Sequence, residues 1–272
     1  MSLAIIGGTG VYDLGEAANA ETIATPYGPA AYYRIALNGQ EIIFLARHGV
    51  EHHLPPHRIN YRANIWALHA LGTREVLATQ AVGSLNIHMA PGHFVLLSQF
   101  LDFTKCRPST FFDGQDGQVA HADVTHPYCP RMTQRLLLAG EFLDEELHAD
   151  AVYACTEGPR FETAAEVKAL RMLGADVVGM TNVPEVVLAR EAGLCYAAIC
   201  IVSNWGAGMS EATLTQEEVL DIMAERTPDL RRIIAQFAQT SLDEPCPCTG
   251  LGFGHLLPSS PLTPDLPPAG RG

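Results

Sequence analysis

The sequence predicts an α/β fold in a single domain, with a mixed and largely parallel sheet flanked by helices. Three observations lead to this prediction. The apolar run Leu3–Val11 breaks into three glycines, which suits a central strand that ends in a tight turn. The second half of the chain alternates apolar strand runs with helical runs. An Asn-Gly pair between two apolar runs predicts an early antiparallel hairpin, so the sheet is expected to be mixed.

The first half of the chain supplies strands around one helix. The hairpin is predicted from Tyr32–Leu37 and Glu41–Ala46, because Asn38-Gly39 between them tolerates positive φ. Apolar residues from Ile59 to Ala70 recur at helical spacing, and Gly72 ends that helix. Further strands are predicted at Val76–Thr79 and Phe94–Phe100. The stretch 104–130 is punctuated by proline and glycine and is predicted to be loop.

The second half alternates more regularly. Strands are predicted at Val152–Cys155, Val177–Met180 and Tyr196–Val202. A helix with Ala164, Val167, Leu170 and Leu173 on one face separates the first two, and a helix with Pro184 in its first turn follows. Thr215 and Glu218 form a capping-box pattern for a last helix that runs toward Phe237.

The chain is predicted to divide into one globular domain, residues 1–240, and a tail. Residues 241–272 are rich in proline, glycine and serine, with little to bury, so we expect this tail to be disordered. The 272 residues are 47% hydrophobic, which is enough for one sizeable core.

Charge and composition exclude several classes of protein. The formal net charge is -13 and no basic run is present, which argues against a nucleic-acid partner. No apolar run reaches membrane-spanning length and no signal sequence is recognisable, so we expect no membrane partner and a cytoplasmic location. The seven scattered cysteines predict reduced thiols. Only Cys246 and Cys248 are close in sequence, and two ligands are too few for a structural zinc site, so no metal is expected.

Candidate functional residues follow the predicted strands. In α/β sheets, ligands bind beyond the carboxyl ends of the strands. The glycine loop offers backbone N–H groups to an anion. Arg47 suits bidentate contact with a phosphate, and His48 adds a second donor. The residues in such positions are Gly8, Thr9, Arg47, His48, Gln80, Ala81, the stretch from Glu157 to Glu162, Met180, Thr181, Ser203 and Asn204.

Several long motifs, in order, resemble one enzyme family. These are Ile5-Ile6-Gly7-Gly8-Thr9-Gly10, Leu45-Ala46-Arg47-His48-Gly49, the run from Asn60 to Leu68, Glu157-Gly158-Pro159-Arg160-Phe161, and the run from Gly179 to Glu185. They resemble the trimeric purine nucleoside phosphorylases and methylthioadenosine phosphorylases. In overall pattern the chain is most similar to the bacterial methylthioinosine phosphorylase branch. The matches extend from about Leu3 to about Phe237.

The resemblance implies a pentosyltransferase of purine salvage, assembled as a homotrimer, with residues 1–240 as the nucleoside phosphorylase domain. Its reaction is phosphorolysis: a nucleoside and inorganic phosphate give a free purine and ribose 1-phosphate. The partners are then a nucleoside and phosphate, the latter a co-substrate, and no metal or organic cofactor is needed. By family match, phosphate would be held by Thr9, Arg47, His48, Ala81 and Thr181.

The remaining roles concern the nucleoside. Phe161 would pack on the purine and Met180 would lie along the ribose. His121 would reach the 5′ side of a neighbouring subunit's site. Asn204, together with Arg47 and His48, would form the catalytic set.

Two departures from the adenine-specific branch predict the base. That branch carries aspartates after the strand that ends at Ser203, where this chain has Asn204 and Gly206. An asparagine amide can donate to purine N7 or to a 6-oxo group. Glu162 can accept the N1–H of hypoxanthine or guanine, which adenine lacks. Methylthioinosine, inosine and guanosine are therefore the expected substrates, and matched polar groups favour strong discrimination.

The 5′ side and three rival functions stay open at this point. Gln216 is placed to meet a 5′-hydroxyl or to point into water, and Leu214 is placed to line an apolar methylthio pocket. Gln80 stands where methylthioadenosine enzymes have threonine. The alternatives are a methylthioadenosine phosphorylase and a non-catalytic nucleoside-binding protein. A nicotinamide oxidoreductase is disfavoured because the glycine spacing is wrong.

Overall fold

The structure is a computed structural model that describes residues 2–8, 19–49, 53–114, 117–211, 215–242, 246, 248 and 250–257. Its strands are β1 (Leu3–Gly7), β2 (Glu21–Thr25), β3 (Gly28–Leu37), β4 (Gln40–Ala46), β5 (Glu75–Ser84), β6 (Phe94–Phe103), β7 (Leu147–Thr156), β8 (Val177–Gly179) and β9 (Cys195–Trp205). Its α-helices are α1 (Tyr61–Ala70), α2 (Pro130–Leu143), α3 (Ala164–Met172), α4 (Asn182–Glu191) and α5 (Gln216–Gln239). Among the described helices, none is long and apolar enough to cross a membrane.

The strands form one sheet in the order β2-β3-β4-β1-β5-β8-β7-β6-β9. β5 pairs with β9 as well, so the last five strands in that order close into a ring. The ring exists because β5 is long: its body pairs with β1 and β9, while Gly83 and Ser84 at its end pair with Val178 and Val177 of β8. The ends of these strands therefore converge on one region.

The sheet is mixed, as predicted, and it contains more antiparallel strand pairs than the early hairpin alone. The predicted hairpin is present as β3 and β4, with Asn38 (φ 51°) and Gly39 (φ 77°) both at positive φ in its turn. Within the described strands, β5 with β8 and β6 with β9 are also antiparallel. The α/β fold prediction is confirmed.

The helices cover the two faces of the sheet. α1 and α4 pack on one face, where Ile65, Leu68 and Leu188 join the larger apolar core. α2 and α5 pack on the other face, where Leu136 and Phe237 lie in a second core. α3 contributes to a smaller cluster beside β7 and β8. The sheet is thus buried on both sides, which explains the continuous apolar runs of β1 and β9.

Two elements were not predicted from the sequence. β2 lies between the glycine loop and the predicted hairpin, where no element was predicted, because its alternating burial leaves a weak apolar pattern on an edge strand. α2 follows the predicted loop. Its buried Met132, Leu136 and Ala139 do recur at helical spacing, and Pro130 occupies the first turn, so the signal was present.

The described part of the tail packs against the domain, although residues 241–272 were predicted to be disordered. The backbone N–H of Phe253 donates to the carbonyl of Glu191 at 2.7 Å, and Leu257 is buried in the larger core. Gly252 packs so closely on Gly193 that an added Cβ would lie 2.1 Å from its Cα. Composition did not reveal this docking because it depends on a few apolar and small residues. The boundary at residue 240 stays a prediction, and 258–272 lie outside the described residues.

Candidate active site

A cavity of about 730 Å³ opens at the converging strand ends. It lies where β4, β5, β8 and β9 reach their carboxyl ends, as expected for an α/β sheet. Nine of the eleven residues predicted to have a binding or catalytic role line it: Arg47, His48, Ala81, Phe161, Glu162, Met180, Thr181, Asn204 and Gln216.

Two predicted site residues are not among those that line the cavity. Thr9 lies outside the described residues, although its neighbour Gly8 does line the cavity. His121 is exposed and lies apart from the cavity of its own chain. Its predicted role concerns a neighbouring subunit, so that role stays a prediction.

Arg47 is the most constrained side chain of the site. It follows β4 and is 1% exposed. Its Nε and Nη2 groups donate to the two carboxylate oxygens of Glu185 at 2.7 and 2.8 Å, and Nη1 donates to the carbonyl of Thr79 at 2.8 Å. Burial opposes the charge of Arg47, but Glu185 outweighs it and raises the pKa of the guanidinium. Arg47 is therefore a permanent, oriented cation at the cavity wall.

His48 is neutral at physiological pH. Burial is the largest cause that lowers the pKa of its imidazole, to about 4. Its Nδ1 lies 2.8 Å from the carbonyl of Leu54, which can only accept, so Nδ1 carries the proton. In this tautomer Nε2 is an acceptor. The predicted role of His48 was a second donor to phosphate, whereas the neutral ring with Nε2 as acceptor suits a protonated phosphate oxygen.

Gly8 and Gln80 form the wall beside Arg47. The backbone N–H of Gly8 donates to the hydroxyl of Thr79 at 3.0 Å, which ties the end of β1 to β5. An added Cβ on Gly8 would lie 2.4 Å from the Thr79 carbonyl oxygen, so this position requires glycine. Both polar atoms of the Gln80 amide are buried and without a hydrogen-bond partner among the described residues. Because Gln80 lines the cavity, a polar ligand there would satisfy its amide.

Arg107 positions the Met180–Val183 segment. Its Nη1 donates to the carbonyls of Met180 and Val183 at 2.7 and 2.8 Å, and its Nη2 donates to the carbonyl of Glu157 at 2.7 Å. One side chain thus links the end of β7 to the segment after β8. Thr181 is the residue before α4, and its N–H donates to the Tyr153 hydroxyl at 3.2 Å. A helix N-terminus beside Thr181 favours an anion at this point.

Asn204 is placed by an irregularity in β9. The pairing of β5 with β9 shifts register between Val82 and Gly83, so Asn204 pairs with Gly83 while Val202 pairs with Val82. A bulge of this kind re-aims the side chains at a strand end. The resulting position of Asn204 is 5% exposed and faces the cavity.

The orientation of the Asn204 amide follows from its partners. One amide atom lies 2.9 Å from the carbonyl oxygen of Trp205, which only accepts, so that atom is Nδ2. The Ser203 hydroxyl then donates to Oδ1 at 2.8 Å. The second N–H of this NH₂ group is left to donate to a ligand. The hydrogen bond from Ser203 to Oδ1 fixes the direction in which that N–H points.

Glu162 and Phe161 form the opposite wall. Thr156 donates its hydroxyl to Oε1 of Glu162 at 2.6 Å. Burial is the largest cause that raises the pKa of the Glu162 carboxyl, and the Thr156 bond partly opposes it. Phe161 is 42% exposed although it is a large apolar ring, which fits a surface that a ligand covers.

Part of the cavity lining is mostly apolar. Gln216, Val219 and Leu220 of α5 line it together with Leu54 and Pro55. Gln216 and Leu220 are one helical turn apart, so they share one face of α5. The Thr215 hydroxyl caps this helix by accepting the N–H of Glu218 at 3.1 Å, as the predicted capping pattern required.

The residues that position the site were not predicted from the sequence. Glu185 was quoted within a motif but received no role, and Arg107 lay in a stretch interpreted as loop. Their partners are distant in sequence, so no local spacing pointed to them. Among the described residues, the one group of three or more potential metal ligands is a set of four cysteines, none of which lines the cavity.

Comparison with known proteins gives the family. Residues 2–239 match the phosphorylase superfamily. A 6-oxopurine nucleoside phosphorylase from Pyrococcus furiosus is 50% identical over 238 residues, which cover 85% of this chain and 90% of that protein. A probable S-methyl-5'-thioinosine phosphorylase from Methanothermobacter thermautotrophicus is 46% identical, covering 90% of this chain and 87% of that protein.

The solved structures agree with this result. Methylthioadenosine phosphorylase from Schistosoma mansoni in complex with adenine superposes with a TM-score of 0.84 at 34% identity, covering 88% of this chain and 91% of that one. The match spans the strands and helices that build the cavity. On the sequence match over residues 2–239 and this structural similarity, the chain belongs to the phosphorylase superfamily.

Proposed function

We propose that this protein catalyses phosphorolysis of the N-glycosidic bond of a 6-oxopurine nucleoside. The products are the free purine and the ribose 1-phosphate, or its 5-methylthio form. The observation that carries the proposal is the gathering of Arg47, His48, Asn204 and Glu162 around one cavity. The predicted activity agrees with the names of the Pyrococcus and Methanothermobacter relatives.

The phosphate is the nucleophile in this reaction. Arg47 supplies the fixed positive charge, and Ala81 and Thr181, which line the same cavity, are the proposed further phosphate contacts. Thr9, next to Gly8, completes this set in the proposal. Nε2 of the neutral His48 ring accepts a hydrogen bond from a protonated phosphate oxygen. Holding the phosphate below C1′ supplies the alignment that a bimolecular attack otherwise lacks.

The purine is the leaving group. As a phosphate oxygen bonds to C1′, the C1′–N9 bond breaks and its electron pair moves into the purine ring. Negative charge then grows on the base, and a donor at N7 stabilises it. The second N–H of Asn204 is the proposed donor, because Ser203 and Trp205 hold the amide in one orientation. No nucleophile from the protein is needed.

Glu162 is the proposed selector of the base. Its carboxylate accepts the N1–H of a 6-oxopurine, whereas adenine has a lone pair at N1 and would leave this acceptor unpaired. Phe161 packs on the purine ring. Unpaired buried polar groups are costly, so this contact discriminates strongly between the two classes of base.

The 5′ side of the sugar faces the apolar part of the cavity lining. Met180 lies along the ribose in this proposal. Val219 and Leu220 favour a 5′-methylthio group, while Gln216 offers a polar contact to a 5′-hydroxyl. The apolar majority makes methylthioinosine the proposed preferred substrate, with inosine and guanosine as slower ones.

The rival functions are less well supported. A methylthioadenosine phosphorylase would need an acceptor for the 6-amino group where the oriented Asn204 amide stands. A non-catalytic nucleoside-binding protein has no need of an oriented cation beside the sugar, yet Arg47 is fixed by three hydrogen bonds.

We propose a homotrimer in the cytoplasm, in which His121 reaches the neighbouring site. This assembly rests on the family resemblance.

A panel of four nucleosides tests the proposal. It crosses 6-oxo with 6-amino bases and 5′-hydroxyl with 5′-methylthio sugars, with and without phosphate. We expect phosphate-dependent cleavage with the highest kcat/KM on methylthioinosine. A higher kcat/KM on methylthioadenosine would overturn the base assignment, and nucleoside binding without cleavage would support the non-catalytic rival. Light scattering of the purified protein measures the assembly.

A further inference from the structure

Four cysteines that are scattered in the sequence meet at one point of the fold. Cys129 precedes α2, Cys195 begins β9, and Cys246 and Cys248 belong to the C-terminal segment. Their sulfur atoms all lie within 4.8 Å of one another. Cys129 and Cys248 are buried, and the other two are partly buried. The sequence showed only the Cys246–Cys248 pair, which is why no metal was expected.

The sulfur–sulfur distances in the cluster are longer than a disulfide bond and lie near the spacing of zinc ligands. Cys246 lies 3.4 Å from Cys129 and 3.1 Å from Cys195, sulfur to sulfur. A disulfide needs about 2.05 Å between its sulfurs. Four thiolates at about 2.3 Å from a tetrahedral zinc ion lie about 3.8 Å from one another. The four sulfurs therefore surround a volume that suits one ion.

Two arginines lie beside the cluster. Arg131 is close enough to Cys129, Cys195 and Cys246 to interact with them electrostatically, and Arg190 interacts in the same way with Cys248. Cys129 is the N-cap residue of α2, where the helix dipole favours negative charge. A zinc ion with four thiolates carries a net charge of about −2, which two arginines balance.

We propose that Cys129, Cys195, Cys246 and Cys248 bind one zinc ion that fastens the C-terminal segment to the domain. Binding displaces the four thiol protons to solvent, and four sulfur–zinc bonds form without any change of oxidation state. Tetrahedral sites of four thiolates select zinc among the common divalent metals. The segment that follows, up to Leu257, then docks on α4.

The site is structural and distant from the cavity. Cys195 is the first residue of β9 and Asn204 is near its other end, so about 30 Å of strand separates the two. None of the four cysteines lines the cavity. Loss of the ion is therefore expected to lower thermal stability and to leave kcat/KM at moderate temperature unchanged.

Metal analysis of the full-length protein tests the proposal directly. Protein purified without chelator or added metal should contain one zinc ion per chain by mass spectrometry. Cobalt exchanged into the site should show intense thiolate-to-metal charge-transfer absorption. A protein without zinc whose four cysteines form two disulfides, seen by mass analysis without reduction, would overturn the proposal.

Variants add a second readout. The double variant Cys246→Ser, Cys248→Ser should lose the zinc and show a lower Tm, with its kcat/KM retained. Cys106→Ser is the matched control, because Cys106 is an exposed thiol outside the cluster, and it should keep both the zinc and the Tm. Zinc that persists at one per chain in the double variant would place the ion elsewhere and refute the site.

Discussion

The guanidinium of Arg47 and the carboxylate of Glu185 form a buried, bidentate ion pair, with nitrogen–oxygen distances of 2.7 and 2.8 Å. The Tyr196 hydroxyl donates to the same carboxylate at 2.7 Å. The arginine that we propose to bind phosphate is thus held in one orientation by a residue of α4. This arrangement keeps the cation in place when phosphate is absent.

Replacing Glu185 with glutamine should destabilise the protein. The charge of Arg47 would be left buried without its counter-ion, which costs about 3 kcal/mol of unfolding free energy. Denaturant unfolding measures this change. Glu41→Gln is the matched control, since Glu41 pairs with Arg34 at 2.8 Å on the exposed surface, and it should change stability little. Equal effects in both variants would contradict the proposed importance of burial.

Gly8→Ala should weaken phosphate binding. The new Cβ would lie 2.4 Å from the Thr79 carbonyl oxygen and 2.8 Å from Nη1 of Arg47, so the backbone or the guanidinium must move. We expect a higher KM for phosphate and a loss of about 1–3 kcal/mol of stability. Steady-state kinetics with varied phosphate and denaturant unfolding measure the two effects.

Gly39→Asn is a suitable control for Gly8→Ala. Gly39 lies in the β3–β4 turn at positive φ with no atom within 4 Å of its added Cβ, and asparagine tolerates that conformation. Its phosphate KM should match that of the unaltered protein. A Gly8→Ala protein with an unchanged KM for phosphate would contradict this prediction. It would show that the cavity wall beside Arg47 shifts to accommodate the added methyl group.

Asn204→Asp should shift the preference for the base toward 6-aminopurines. A carboxylate cannot donate to N7 unless it is protonated, so we expect kcat/KM on inosine or methylthioinosine to fall about 100-fold or more. The ratio of methylthioadenosine to methylthioinosine activity should rise. Ser203→Ala removes only the hydroxyl that orients the amide, so its loss should be smaller. An unchanged base ratio in Asn204→Asp would remove Asn204 from base recognition.

Glu162 should produce an acid limb in the pH profile. Its ionised form is needed to accept N1–H, and burial raises the pKa of this carboxyl above the ordinary value for glutamate. Activity on 6-oxopurine nucleosides should therefore fall, as pH is lowered, at a higher pH than an exposed glutamate would cause. His48, with its pKa lowered to about 4, ionises in a more acidic range.

The pH dependence of kcat/KM for the protein and for Glu162→Gln measures this effect. Phosphate ionises equally in both experiments, so their ratio isolates Glu162. The ratio should be flat for the 6-amino substrate and should fall in acid for the 6-oxo substrate. A parallel pair of profiles on the 6-oxo substrate would contradict the role of Glu162.

Much of the candidate site could be predicted from the residues at the ends of strands. Arg47, Ala81, Thr181 and Asn204 each follow or end an apolar run, and the structure brings them to one cavity. The family and the α/β fold were predicted correctly, since motifs of this length and the alternation of strands and helices are local properties of the chain. The bulge at Gly83 could not be predicted in this way, because a register shift depends on how two strands pair.

The sequence by itself determined which residues are candidates for the chemistry and the order of most elements, because side-chain type and apolar periodicity are properties of the chain itself. Only the tertiary structure decided how those residues are held. Arg47 meets Glu185 across 138 positions of sequence, and Cys129 meets Cys246 across 117. Contacts between such distant positions depend on how the strands close into a ring and where the C-terminal segment docks, and no local pattern encodes either.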